Sequence, residues 1–194
     1  MPEPTDKAAS LKRRIHDGEV VLGVSAPVTM DRDTLGPLLE KGPYDFVSVD
    51  SQHAPYNEDR LVSFCEMAAD LGVPVQFRIK HTRHTYMVGN YLDLGPTGIE
   101  VPQVETEETV DEAVSNFYYP QRGVRSWGGR YRLGVKAHGG DHHDYAEWWA
   151  ETGVLWIQVE SVDSVTNVRN LARPGVDCVS FGPMDLTFSL EAHP

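Results

Sequence analysis

Short apolar, β-branched runs alternate with amphipathic stretches along the chain. The apolar runs fall at residues 20–24, 45–49, 74–77, 98–101, 154–159 and 176–181. Most read as continuous rather than alternating, the pattern of parallel strands covered on both faces. Between them, Leu61, Cys65, Ala68 and Ala69 fall at i, i+4, i+7 and i+8, and Val165, Val168 and Leu171 keep a similar stripe, which predicts helices. Asn57 ahead of Glu58 and Asp59 predicts an N-cap with acidic residues in the first turn. Leu71-Gly72-Val73-Pro74 and Arg173-Pro174-Gly175 predict helix stops that feed strands. Alternating β and α units predict an α/β fold with a parallel sheet.

Six strand–helix units fit either an open doubly wound sheet or an incomplete (β/α)₈ barrel, a complete barrel needing about 250 residues. The sequence lacks the G-x-G-x-x-G fingerprint of dinucleotide binding, which weakens the doubly wound alternative. Residues 186–194 stop where a sixth helix would be getting under way. The expectation is therefore one domain over residues 1–194 with its last βα units missing. Residues 118–141, rich in Gly, Arg and aromatics, read as a long βα-loop folded over a site.

Composition changes this picture little but excludes several functions. No run approaches the roughly 18 apolar residues of a membrane span. The opening MPEPTDKAASLKRR lacks the apolar stretch of a secretory signal, and two cysteines, Cys65 and Cys178, form neither a disulfide framework nor a zinc spacing. A cytoplasmic setting follows as the expectation. Lys and Arg number 17 against 29 Asp and Glu, so the charge is 17 − 29 = −12 and the chain as a whole repels phosphate backbones. The one Arg-dense stretch, residues 122–132, is interleaved with Gly and aromatics and reads as a structured loop. No nucleic-acid or membrane partner is expected.

Polar residues collect at the C-terminal ends of the expected strands, where parallel α/β folds carry their sites. The second strand ends in Asp50-Ser51-Gln52-His53-Ala54-Pro55, the third in Arg78, the fifth in Gln158-Val159-Glu160 and the sixth in Gly182-Pro183-Met184-Asp185. Glu160 and Asp185 stand one βα unit apart, and neighbouring strands lie about 4.8 Å apart, so both carboxylates can reach one ion. Such a pair with open positions suits Mg²⁺ or Mn²⁺; the alternative is a helix cap for Asp185 and a solvated acid for Glu160. His53 is either a proton shuttle or a loop histidine bonded to backbone. Arg78 either clamps a carboxylate or oxyanion or pairs with a neighbouring acid. His142-His143 beside Asp141 and Asp144 reads as solvated residues facing apart on a helix. His81 and His84 read as a solvated helix start. Trp148, Trp149 and Trp156 read as core or interface aromatics, and both cysteines as small buried residues.

These same segments resemble the HpcH/HpaI family of class II aldolases, the 4-hydroxy-2-oxo-heptane-1,7-dioate aldolases. The strand and turn of residues 47–55 are similar to the family's D-G-E-H-A-P element, and Pro74-Val-Gln-Phe-Arg78 to its strand ending in arginine. Residues 92–102, 119–125, 158–160 and 181–186 resemble, in order, L-D-x-G-x-x-x-x-x-x-P, Y-P-P-x-G-x-R-G, Q-I-E and I-G-P-x-D-L. The resemblance implies a (β/α)₈ barrel of the phosphoenolpyruvate/pyruvate type, truncated here after about six units, and a homo-oligomer, a hexamer built from dimers. It implies a divalent metal, Mg²⁺, Mn²⁺ or Co²⁺, on Glu160 and Asp185. Arg78 and Gln158 would contact the pyruvate part of a 2-oxo acid substrate, and His53, oriented by Asp93, would move the proton. The backbone from Gly182 through Pro183 to Asp185 would receive the substrate carboxylate. The implied reaction cleaves a 4-hydroxy-2-oxo acid to pyruvate and an aldehyde; a related 2-oxo acid decarboxylase or condensing enzyme, or an inactive barrel fragment, are the alternatives. Gln52 departs from the family, which carries Glu there.

Overall fold

A computed structural model describes residues 11–193, so the first ten residues of the opening segment on which the secretory-signal expectation rests, and Pro194, lie outside the described residues. Residues 11–16 are helical and lead into β1 (Gly23–Ser25), α1 (Arg32–Leu39), β2 (Phe46–Asp50), α2 (Glu58–Asp70) and β3 (Val75–Arg78). A 3₁₀ turn (Thr82–Met87) runs into α3 (Val88–Leu92), followed by β4 (Gly98–Val101) and α4 (Glu107–Phe117). Then come α5 (Val135–His138), α6 (His142–Thr152), β5 (Val154–Val159), α7 (Val162–Thr166), α8 (Val168–Leu171), β6 (Cys178–Phe181) and α9 (Pro183–Ala192). Asn57 caps α2 as expected, accepting from the Arg60 N–H at 3.3 Å.

The six strands are all parallel and lie in the order of the sequence, β1 to β6. A doubly wound sheet reverses its strand order part-way. This sheet never does, so each right-handed crossover adds the next strand on the same side and the sheet curls into part of a barrel. The strands also differ from the continuous apolar runs expected. Val47, Val49, Phe77, Ile99, Val101, Leu155, Ile157 and Val159 are buried in one core with residues of the helices, among them Leu61, Phe64 and Ala68 of α2 and Val110, Ala113 and Phe117 of α4. Between them, Ser48, Asp50, Gln76, Arg78, Glu100 and Gln158 occupy the alternate positions that face the inside of the curl. That alternation lays polar residues along the concave face.

β1 begins three residues later than expected. Asp45 accepts the Leu22 N–H and donates its own N–H to the Leu22 carbonyl, which leaves Val20 exposed and starts the ladder at Gly23, opposite Phe46. A side chain at Gly23 would collide with the Phe46 ring.

Residues 118–141 are not a βα-loop over the site. They follow α4, after the chain has returned to the N-terminal ends of the strands, and they are not structureless. The Tyr118 hydroxyl donates to the carbonyl of Gly175, just ahead of β6, and the Tyr145 hydroxyl to Leu133. Arg125 is buried between the rings of Tyr119 and Trp149, and Arg132 between those of Trp127 and Tyr145. These arginines are used up inside the protein, as the structured-loop expectation requires. At the same end, Lys12 docks the first helix. Its Nζ donates to the Tyr118 hydroxyl at 3.1 Å and to the Gly153 carbonyl at 2.9 Å, and faces Asp177 at 3.2 Å.

Other side chains depart from expectation in smaller ways. His142 and His143 meet at 4.0 Å between ring centroids instead of facing apart, and His142 also lies edge-on to Trp127; Asp141 caps α6 by taking the N–H groups of His143 and Asp144. Cys65 is buried, but Cys178 is only half-buried on the edge strand β6. Trp149 is in the core, while Trp148 and Trp156 pack partly buried at its margin. Among the described residues, no helix is long and apolar enough to cross a membrane.

Candidate active site at the C-terminal ends of the strands

Asp50, the last residue of β2, is paired in register with Arg78, the last residue of β3. Its carboxylate accepts from Arg78 Nε at 2.9 Å and Nη2 at 2.5 Å, a bidentate fork. It also accepts the backbone N–H groups of Gln52, at 2.8 Å, and His53. Burial pushes the Asp50 carboxyl up, but the Arg78 guanidinium and these two N–H groups outweigh it and hold the group below its ordinary range. One carboxylate thus fixes both the arginine and the turn that carries His53. Arg78 Nη1 donates to Gln158 Oε1 at 3.1 Å, joining β3 to β5 across the concave face. Of the two alternatives weighed for Arg78, the pairing with a neighbouring acid is what the structure shows, and the fork leaves further N–H donors on the guanidinium.

Glu160, just beyond β5, is buried to 5 % exposure and closely prepared by its surroundings. Its backbone N–H goes to Ser164 Oγ at 3.1 Å, and its Oε1 accepts the Gln103 N–H at 2.7 Å. Gln103 reaches that position with φ +50°, a left-handed conformation uncommon for a residue with a side chain and found disproportionately at functional sites. Gly182 lies so close that any side chain there would strike the Glu160 carboxylate. Asp185, in the first turn of α9, lines the same cavity as Glu160 and lies close enough for its charge to act on that carboxyl. Burial pushes the Glu160 carboxyl up to about 7; the Gln103 N–H opposes this and the Asp185 carboxylate adds to it.

Glu100, on β4, is a second buried carboxyl on the concave face. It accepts from Ser180 Oγ at 2.6 Å, and burial holds it above its ordinary range. Arg78 thus acts on all three carboxyls, Asp50, Glu100 and Glu160. A buried and an exposed carboxylate that repel each other, with acids in excess around them, form a donor set that suits a hard divalent cation. Only two such ligands converge: among the described residues no group of three or more His, Cys, Asp or Glu side chains is placed to hold a metal.

The structure brings together Arg78, Gln158, Glu160 and Asp185 as expected, with His53 in the adjoining turn. It does not bring Asp93 to His53. Asp93 caps α3, which has carried the chain back from the end of β3 toward the start of β4, and its Oδ1 accepts from Arg125 Nη2 at 2.8 Å. The backbone expected to receive a carboxylate is also narrower than residues 182–185. The Gly182 N–H is bonded to the Val159 carbonyl and Pro183 has none, so the open donors are those of Met184 and Asp185 at the start of α9. Asp50, Glu100, Gln103 and Ser164 were not singled out in the sequence. For Asp50, an acid and an arginine ending successive strands was an available signal. Beside Glu160 and Asp185 lies a cavity of about 310 Å³ that reaches the loops after β3 and β4.

Residues 38–194 match the sequence profile of the HpcH/HpaI aldolase/citrate lyase family. The chain belongs to that family. Among curated relatives, the hydroxypyruvate/pyruvate aldolase of Roseobacter denitrificans is 28% identical over 98% of this chain and 72% of that protein. The 5-keto-4-deoxy-D-glucarate aldolase of Shigella boydii is 29% identical over 76% of this chain and 56% of that protein. Among solved structures, an HpcH/HpaI aldolase from Desulfitobacterium hafniense superposes with TM-score 0.81 at 28% identity, over 93% of this chain and 69% of that one. The citrate synthase SbnG gives TM-score 0.78 at 27% identity, over 94% and 69%. The chain thus spans between about half and three quarters of the length of these family members.

Proposed function

We propose that this chain is a divalent-metal-dependent carbon–carbon lyase that cleaves a 4-hydroxy-2-oxo acid to pyruvate and an aldehyde, within a single barrel-type domain. The observation that carries the reading is the Glu160–Asp185 carboxylate pair set beside an arginine already locked in place by Asp50. Aldolase relatives from two different reactions support it.

In this reading Glu160 and Asp185 would hold the divalent cation, Mg²⁺, Mn²⁺ or Co²⁺. A divalent cation there supplies Lewis-acid polarisation of the 2-oxo group. Met184 and Asp185 N–H donate to the substrate carboxylate at the positive end of α9. A ring nitrogen of His53, directly or through water, takes the proton of the 4-hydroxyl. The C3–C4 bond breaks, the aldehyde leaves, and the electron pair passes to the enolate of pyruvate, whose oxygen accepts from Arg78. Protonation at C3 completes pyruvate. No oxidant or reductant is consumed. Gln158 holds Arg78 Nη1 and so limits the tilt of the guanidinium plane.

The test is pyruvate release from 4-hydroxy-2-oxo acids, with and without chelator, in the native chain and in His53→Ala. Activity that survives chelation, or survives the loss of His53, rejects the corresponding part of the mechanism. The likeness to a citrate synthase favours one competitor, a condensing or decarboxylating enzyme acting on oxaloacetate-type acids. Release of CO₂ from oxaloacetate without pyruvate release from 4-hydroxy-2-oxo acids would select it. A cytoplasmic homo-oligomer acting on a small-molecule 2-oxo acid completes the proposal, with sedimentation velocity as the check on its oligomeric state.

A further inference from the structure

A second cavity, of about 540 Å³, lies at the opposite end of the sheet, where the chain enters β5 and β6. It shares no lining residue with the cavity beside Glu160. Its floor is saturated with partners. Lys12 spends its three ammonium protons on the Tyr118 hydroxyl, the Gly153 carbonyl and Asp177. Asp177 also takes the Leu155 N–H at 2.8 Å and His16 Nε2 at 2.7 Å. One wall is the turn at Gly175, whose φ of +100° and lack of a side chain let it lie against Val114. Its carbonyl accepts from the Tyr118 hydroxyl at 3.1 Å, which fixes that wall to α4.

The rim is not saturated. Arg13 and Arg122 both line the cavity and both are exposed. Among the described residues Arg13 has no acid within ion-pair distance. Arg122 has only Glu151, at 3.8 Å, with both side chains more than half exposed. A pair so placed in water contributes little and gives way to a better acceptor. Lys12, Arg13 and Arg122 face two carboxylates, Asp177 and Glu151, so the lining carries one positive charge in excess with His16 neutral. That excess stands in a chain of net charge −12. A single negative charge is balanced there, whereas a polyanion would meet the two carboxylates and the acidic molecule around them.

Between floor and rim stand Val114, the Tyr118 ring, Ala150, Pro174 and Val176. A bare inorganic ion would leave these surfaces in water, while an alkyl or aryl group would bury against them. The volume falls within the roughly 300–1,000 Å³ of small-molecule sites.

We propose that this end of the molecule binds a small organic monoanion, a carboxylate with an apolar body. Arg13 and Arg122 take the carboxylate, and Val114, Tyr118 and Val176 take the body. The site is independent of the lyase reading and uses none of its residues.

The experiment is calorimetric titration of the full chain, without metal, with 4-phenylbutyrate, 4-phenylbutyramide, acetate and pyrophosphate. One phenylbutyrate should bind per chain, with a Kd at least about tenfold below those of the other three. The Val114 and Val176 methyl resonances should move with it. Arg13→Gln combined with Arg122→Gln changes only exposed positions, and should weaken phenylbutyrate about tenfold while leaving the amide as it was. Glu160→Gln, or saturating pyruvate with Mn²⁺, should leave phenylbutyrate binding in place. Absence of saturable phenylbutyrate binding, an amide that binds equally well, or an unchanged Kd in the double variant overturns the proposal. Tighter binding of pyrophosphate overturns the monoanion assignment, and displacement of phenylbutyrate by pyruvate with Mn²⁺ overturns the placement at this end.

Discussion

Glu160 carries the clearest conflict between stability and function. Burial and the neighbouring Asp185 hold its carboxyl above the ordinary range, so ionising it costs stability in the metal-free chain. That cost is absent below the unfolded value near 4.5, grows as pH rises toward the folded value, and is fully present beyond it. Glu160→Gln should therefore stabilise the metal-free chain in chemical denaturation more at pH 8 than at pH 5, by about 1 kcal/mol or more at the higher pH, while ending lyase turnover and Mn²⁺ binding. Equal gains at both pH values would mean that the carboxyl behaves as if in water. Asp50 runs the other way. Its folded value is depressed, so its contribution is present above the unfolded value near 3.8 and fades as pH falls through the folded one. Thermal melts of Asp50→Asn should show a deficit at pH 7 that shrinks by pH 2.5. Arg78→Lys keeps the charge but loses the fork to Asp50 and the bond to Gln158. It should lower kcat/KM by about a hundredfold; an unchanged value would make Arg78 a purely structural ion-pair partner.

At the scale of elements, helix ends do the positioning. Ser161 and Ser164 form a capping box at the start of α7, and the same Ser164 hydroxyl accepts the N–H of Glu160. Loss of that hydroxyl should cost about 1–2 kcal/mol and also free the backbone that aims Glu160. Ser164→Ala is thus expected to weaken Mn²⁺ binding as well as lower Tm, measurable by metal titration of a folded variant. Ser164→Thr should restore both; metal binding intact in the alanine variant would confine Ser164 to a capping role. α9 works through its own N-terminus: Pro183 lacks an N–H, Gly182 is bonded to Val159, and the next two donors are left toward the site.

The whole molecule divides its chemistry between the two ends of the sheet. The C-terminal ends carry the carboxylates, and the N-terminal ends are closed by Lys12, Tyr118, Gly153 and Asp177, residues drawn from across most of the chain. Asp177 is almost fully buried and also holds the Leu155 N–H at 2.8 Å and His16 at 2.7 Å. Removing Lys12 leaves that carboxylate without its buried cation, so Lys12→Met should destabilise by about 3 kcal/mol. Asp177→Asn in the same chain should recover much of this in chemical denaturation. Full additivity of the two changes would show that they do not interact.

The sequence by itself determined the six strands to within a few residues, the parallel α/β class, the Asn57 cap and the family. Each of these follows from local pattern: apolar runs, cap chemistry and short motifs at strand ends. It also located Arg78, Glu160 and Asp185, because parallel strands deliver their C-terminal residues to one rim whatever the detailed packing. Only the tertiary structure decided what those residues meet. The alternation of β2, β3 and β4 was read as continuous because Ser48, Gln76 and Glu100 are embedded among apolar neighbours, and the polar inner face emerges only once the sheet curls. The Asp50–Arg78 fork depends on a strand register spanning 28 residues, and the Ser180–Glu100 bond joins residues 80 apart. Gln103 supports Glu160 through a backbone angle, which leaves no mark in residue type. Asp93 was placed at the site by the family resemblance and residues 118–141 by their Gly, Arg and aromatic content, but α3 and α4 each return the backbone to the opposite end of the sheet before those residues are placed. Local pattern names the elements, whereas contacts between distant side chains depend on register, curl and the direction of each crossover.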